Sequence, residues 1–282
     1  MTNYPEKTGT FNGSDGVEIF YRHFEADDER AGMVIAHGLG EHSGRYGNVV
    51  ERLLARGVSL WIPDHRGHGQ SGGQRGHVLN FFQYLTDLRL MVELACQPRR
   101  SRGKCFLLGH SMGGLIALYF AQRFPDLIDG VLVSSPALGM AVKVPGAKRM
   151  LVSVLSWLWP GFTVSNGLDA AKISHDQGAV RAYVDDPLVH ERVSARFFSE
   201  FVAAMEAVNL QAASIRVPIL MQVAGDDHLV SAKAAELFFD KLTAPDKTLH
   251  VYGGLYHEIY NEAADQRKQV LKDLEDWLAE RM

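Results

Sequence analysis

Phe106-Leu107-Leu108-Gly109-His110-Ser111-Met112-Gly113-Gly114-Leu115-Ile116-Ala117-Leu118 decides the fold. An apolar run ends at Gly109, a lone serine sits between glycines, and a helix-like apolar pattern follows at once. This is the layout of a nucleophile elbow, a sharp strand-to-helix turn that holds a serine hydroxyl out of a sheet. Only small residues fit beside such a turn. The pattern Gly-x-Ser-x-Gly also occurs at Gly69-Gln70-Ser71-Gly72-Gly73. There, Ser71 follows Arg66-Gly67-His68 instead of a strand, and Gly73-Gln74-Arg75-Gly76 is a poor helix start. Ser71 therefore reads as a loop residue and Ser111 as the nucleophile.

Outward from the elbow, strands and helices alternate. Val17–Phe24 alternates as a strand after the turn Gly13-Ser14-Asp15-Gly16. Met33-Val34-Ile35-Ala36 is a short, continuously apolar run, as in a strand buried on both faces. It leads into His37-Gly38-Leu39-Gly40-Glu41-His42. A helix over Asn48–Arg56 stops at Gly57, and a strand over Val58–Ile62 runs into the loop Pro63–Gly69. Phe81–Ala95 has helical spacing, and Gly130–Pro136 is another buried strand. Strands at Val217–Gly225 and Lys247–Tyr252, with helices at Ala232–Lys241 and Ala263–Arg281, finish the chain. The Met1–Gly16 stretch is polar.

Such alternation implies an α/β fold with a mostly parallel central sheet covered by helices on both faces. Ligand sites in these sheets lie at the C-terminal ends of the strands. The rhythm breaks between Ala137 and Ala213. The expected organisation is a core of residues 1–136 and 214–282 with a largely helical cap at 137–213.

Composition excludes several function classes. A net charge of −4 with 22% charged residues offers no basic surface for nucleic acid. No signal peptide is evident, and no apolar run reaches the roughly 18 residues that span a bilayer. A cytoplasmic location is expected. The two cysteines, Cys96 and Cys105, read as free thiols compatible with a reducing compartment.

A serine nucleophile needs a base, and the base needs an orienting acid. In chain order these follow the serine as acid and then histidine. Asp226-Asp227-His228-Leu229-Val230 follows one late strand, and Gly253-Gly254-Leu255-Tyr256-His257-Glu258 follows the next. Asp227 is favoured over Asp226 by its Asp-x-Leu-Val continuation. His257, in the loop, is favoured over His250, inside the strand. The oxyanion hole requires two backbone N–H groups, expected from Met112 and Leu39. His37, His42, His65, His68 and His77 lie between glycines in tight loops and do not suggest a metal site.

Together these residues resemble the monoglyceride lipase and lysophospholipase branch of the α/β-hydrolase superfamily. The resemblance covers nearly the whole chain. It rests on His37–Tyr46, Asp64–Ser71, Gly109–Gly114, Asp186-Pro187-Leu188-Val189, and Asp246–Leu249 leading to Tyr256-His257. It implies a serine esterase that acts on single-chain acyl lipids without a cofactor. Monoacylglycerol is the leading substrate; a lysophospholipase, carboxylesterase or thioesterase with the same triad is the alternative, and a non-catalytic binding protein a remote one. It also implies head-group contacts from Glu41, Arg45, His110 and Tyr183. The Gly225-Asp226-Asp227 turn is one residue shorter than in the mammalian monoglyceride lipases. The apolar stretch Met150–Phe162, preceded by Lys143, Lys148 and Arg149, either packs on the core or forms an interfacial lid touching membranes or micelles.

Overall fold

Two parallel strands carry the loops that matter most. β3 (Ala31–Ala36) and β5 (Lys104–His110) pair from Ala31 opposite Lys104 to Ala36 opposite Gly109. They belong to a computed structural model that describes residues 4–96, 103–141, 152 and 154–282. The remaining strands are β1 (Glu6–Asn12), β2 (Glu18–Phe24), β4 (Val58–Pro63), β6 (Gly130–Ser134), β7 (Thr163–Ser165), β8 (Arg192–Ser194), β9 (Ile219–Ala224) and β10 (Lys247–Tyr252). Eight of them form one sheet in the order β1-β2-β4-β3-β5-β6-β9-β10. The first two run antiparallel and the other six are parallel. From β3 the chain moves to β4 on one side and then to β5 on the other. This reversal opens a crevice at the C-terminal ends of β3 and β5, the usual place for a ligand site in an open α/β sheet.

The helices are α1 (Gly47–Leu54), α2 (Phe82–Cys96), α3 (Met112–Arg123), α4 (Gln177–Val184), α5 (Ala195–Leu210), α6 (Ala232–Lys241) and α7 (Ala264–Ala279). The pleat sorts the strand residues between two cores. Val34, Ala36, Leu107 and Val133 join the side chains of α2 and α3. Met33, Ile35, Leu108 and Leu132 join those of α1 and α7. With both faces covered, no polar residue interrupts β3, as its continuous apolar run implies.

One strand is added to those expected from the sequence, and one expectation is corrected. Within the polar Met1–Gly16 stretch, Glu6–Asn12 pairs residue for residue with β2. As an edge strand exposed along most of its length, β1 has little need of an apolar pattern. Cys96 and Cys105 are not free thiols; a disulfide joins the end of α2 to the start of β5, with Cα atoms 5.7 Å apart. A bridge over so short a loop stabilises by about 3 kcal/mol in the chain-entropy account. Such bonds are rare in reducing compartments.

The insert between β6 and β9 contains β7 paired with β8, α4 and α5. Ser194 caps α5 by accepting the Phe197 N–H at 3.0 Å. Phe197, Ala204, Met205 and Val208 share the core of α2 and α3, so the insert is rooted in the main fold. It is also latched to the loops at the crevice. His190 N–H donates to Gly40 O at 2.9 Å, and His42 Nε2 lies 2.9 Å from Asp186 Oδ2. Lys143, Lys148 and Arg149 lie outside the described residues. No helix among the described residues is long and apolar enough to cross a membrane.

Candidate active site

Ser111 has φ 53° and ψ −117°, a left-handed geometry that a serine rarely adopts. Its N–H donates to Ser134 O at 2.9 Å, and its carbonyl accepts from Ala137 N at 3.0 Å. The strand β6 therefore pins the turn from one side. Packing pins it from the other: a Cβ on Gly113 would lie 2.0 Å from Ala36 O, and one on Gly109 would lie 2.2 Å from Gly113 O. The glycines thus let α3 start directly against β3 and β5.

His257 and Asp227 meet as expected. His257 Nδ1 lies 2.7 Å from Asp227 Oδ2, and both side chains are almost fully buried. The other oxygen, Asp227 Oδ1, accepts the N–H groups of Leu229 (2.8 Å) and Val230 (3.0 Å). These bonds give the Asp-x-Leu-Val continuation its physical meaning, since they orient the carboxylate. Burial would lower the His257 pKa, but the Asp227 charge and hydrogen bond outweigh it and hold His257 above its ordinary 6.5. Asp227 is in turn held below the ordinary carboxylate value, because the His257 cation and the two N–H donors outweigh its burial. Asp226 is exposed and pairs with His228 at 3.5 Å. His250 stays within β10.

Ser111 and His257 line one cavity of about 660 Å³. Gly38, Leu39 and Met112 line it beside them. A Cβ on Gly38 would sit 3.3 Å from Ser111 Cβ, so the loop after β3 passes directly against the serine. The Gly38 N–H is already taken by Glu41 Oε1 at 2.5 Å. Leu39 follows it in the same loop, and Met112 opens α3 on the other side of the serine.

Of the residues expected at the head group, Glu41, His110 and Tyr183 line the cavity. The His110 ring lies 4.8 Å from that of His257, and Nδ1 is 3.1 Å from Ser134 Oγ. Burial, and then the neighbouring His257, push its pKa down to about 3, so it is neutral. Arg45 stands behind the wall. Its guanidinium is 2.6 Å from Glu258, 3.3 Å from Glu41, and 4.8 Å above the Tyr183 ring centroid. Glu258 faces the cavity directly and was missed by the sequence reading; its one local signal is adjacency to His257.

The glycine-rich loops hold a buried histidine cluster. His37 Nε2 accepts the His65 N–H at 2.8 Å, so Nδ1 carries the proton and donates to Gly38 O at 2.8 Å. Burial depresses the pKa values of His37, His65 and His68. Among the described residues, no group of His, Cys, Asp or Glu is arranged to hold a metal. The cluster instead braces the loop that carries Leu39. Ser71 is structural: its hydroxyl donates to Asp64 O at 2.6 Å and accepts from Phe20 N at 2.9 Å.

Residues 27–264 match the family model described as serine aminopeptidase, S33. A monoacylglycerol lipase of Mycolicibacterium smegmatis is 34% identical over 280 residues, which cover 99% of each chain. The phospholipase YtpA of Bacillus subtilis is 33% identical over 88% of this chain and 95% of its own. The crystal structure of a monoacylglycerol lipase from Paleococcus ferrophilus superposes with a TM-score of 0.85 at 34% identity, covering 94% of this chain and 99% of that one. With an elbow serine, a buried histidine–aspartate pair and relatives matched end to end, the chain belongs to the monoglyceride lipase family of the α/β-hydrolases, a family of serine hydrolases.

Proposed function

We propose that this chain hydrolyses monoacylglycerols to a fatty acid and glycerol through an acyl-enzyme. The observation that carries this reading is one cavity walled by Ser111 and His257, with acidic and neutral polar groups near the serine and aromatic and aliphatic side chains such as Phe197, Phe198 and Leu155 elsewhere. Each CH₂ of an acyl chain buried there contributes about 0.8 kcal/mol.

His257 Nε2 takes the Ser111 proton as Oγ attacks the ester carbonyl. Asp227 holds the imidazole tautomer and stabilises the cation that forms. The Leu39 and Met112 N–H groups receive the oxyanion. His257 then protonates the departing glycerol oxygen, and in the second half it activates the water that releases the fatty acid. The segment between β6 and β9 acts as the cap over this reaction.

A panel of monoacylglycerol, lysophospholipid, acyl-CoA and short p-nitrophenyl esters tests the reading. Monoacylglycerol is expected to give the highest kcat/KM. A higher value for the lysophospholipid or the acyl-CoA would replace it with the lysophospholipase or thioesterase reading.

The cap also supports contact with a lipid surface. Val152 and Leu155 face the cavity, while Trp157 and Trp159 are 81% and 70% exposed. Leu158 and Phe162 are exposed beside them. An exposed apolar group that shares Phe162 with the cavity wall supports this reading. The wild type is expected to co-sediment with phosphatidylcholine vesicles containing monoacylglycerol, and Trp157→Ser with Trp159→Ser to lose most of that binding. Equal, negligible pelleting of both proteins would overturn the docking reading.

A further inference from the structure

The wall beside Ser111 is acidic, and its two carboxylates are differently occupied. Glu41 Oε1 accepts from Gly38 N at 2.5 Å and from Tyr46 Oη at 2.8 Å, while Oε2 faces Arg45 at 3.3 Å. Glu258 Oε2 accepts from Arg45 Nη2 at 2.6 Å and from Asn261 Nδ2 at 2.9 Å. Its other oxygen, Oε1, meets no protein donor among the described residues, although the side chain is only 6% exposed and lines the cavity. The guanidinium that holds both carboxylates does not itself reach the cavity wall. His110, whose ring lies 4.8 Å from that of His257, is neutral. Lys172, the lysine on the described cavity wall, comes from the insert and sits over the Tyr256 ring at 5.5 Å.

Within the group Glu41, Arg45 and Glu258, two carboxylates share one guanidinium. A hydroxyl donated to such a carboxylate makes a charge-assisted hydrogen bond, the stronger kind. A phosphate brought beside Glu41 and Glu258 would face like charge, while Lys172, the lysine on the described wall, is set over the Tyr256 ring. We propose that Glu258, held by Arg45 and set beside Glu41, is a specificity-determining residue: it accepts the hydroxyl of a neutral polyol leaving group and excludes esters with an anionic phosphate head group. This rests on the ester-hydrolase reading given above. It extends that reading from the bond cleaved to the charge of the leaving group.

Three substrates of one acyl chain length test it: the monoacylglycerol, the acylglycerol phosphate and the methyl ester. For the wild type, kcat/KM is expected to be about 100-fold higher for the monoacylglycerol than for the phosphate, which corresponds to a difference of about 2.8 kcal/mol. Glu258→Gln should raise KM for the monoacylglycerol about tenfold with little change in kcat, and should narrow the gap to the phosphate by a similar factor. The methyl ester, which has no hydroxyl to place, should change less than about twofold. Glu258→Asp, which restores the charge, should keep the exclusion of phosphate, and thermal melts of both variants report folding. The proposal is overturned if wild type cleaves the phosphate as well as the monoacylglycerol. It is also overturned if Glu258→Gln lowers kcat equally on monoacylglycerol and methyl ester, which would make the residue a support for His257. If wild type cleaves none of the three, the hydrolase reading itself fails and takes this proposal with it.

Discussion

Ser111→Ala is expected to lower kcat for monoacylglycerol by roughly 10⁴–10⁶-fold, the range seen when a triad nucleophile is removed. Among the described residues, no other serine on the cavity wall is placed to replace it. The Ser194 hydroxyl caps α5 and bonds His77, and the Ser165 hydroxyl accepts from Gly167 N within its own turn. Neither carries the strained backbone that β6 and the elbow glycines impose on Ser111. The variant should retain its melting temperature, because Ser111 Oγ holds no element in place. A fluorophosphonate probe should label the wild type at Ser111 and fail to label the variant. Ser71→Ala is the control with the opposite signature. It removes a buried hydroxyl that donates to Asp64 O and leaves Phe20 N without its acceptor, so it should cost about 1–3 kcal/mol of stability while turnover persists. Loss of turnover in Ser71→Ala with retention in Ser111→Ala would reverse the assignment.

The contrast between those two serines shows what a sequence can carry. Both match the same five-residue pattern. Ser111 was separable because its neighbours report on packing: buried parallel strands need unbroken apolar runs, and a helix starting against two strands needs glycines at Gly109 and Gly113. Asp227 and His257 were readable for a related reason, since each follows a strand whose C-terminal end must face the crevice. Elements whose constraints are not local were harder to see. β1 has a solvent-facing edge and so no apolar alternation to betray it. The cysteine pair depends on the 5.7 Å approach of two Cα atoms, which spacing alone does not determine. Glu258 gains its meaning from Arg45, 213 positions away, and no periodicity links the two. The insert resists reading most, because its residues serve the cavity, the core and the solvent in turn. Leu155 lines the cavity, Phe197 is buried in the core and Trp157 is exposed.

Asp227→Asn is expected to lower kcat about 10⁴-fold, because the amide can donate to Nδ1 and so favour the imidazole tautomer that cannot accept the serine proton. The pH profile provides a second, independent readout. His257 acts as a base only when neutral, so kcat/KM should fall as the medium is acidified through the His257 pKa. Asp227 holds that pKa above 6.5, which places the acid limb of the wild type above 6.5 as well. Removing the carboxylate charge removes the largest cause of the rise, ahead of Glu258 and Glu41, while the burial that lowers the pKa remains. The acid limb of the residual activity should therefore move to lower pH, even as the maximum rate collapses. Asp226→Asn should leave rate and profile within about twofold, since Asp226 is exposed and its partner His228 is also largely in solvent. A limb that stays fixed in Asp227→Asn would mean that the titrating group is not His257. Equal damage from Asp226→Asn would mean that the turn as a whole is needed, and not the one carboxylate that its N–H groups orient.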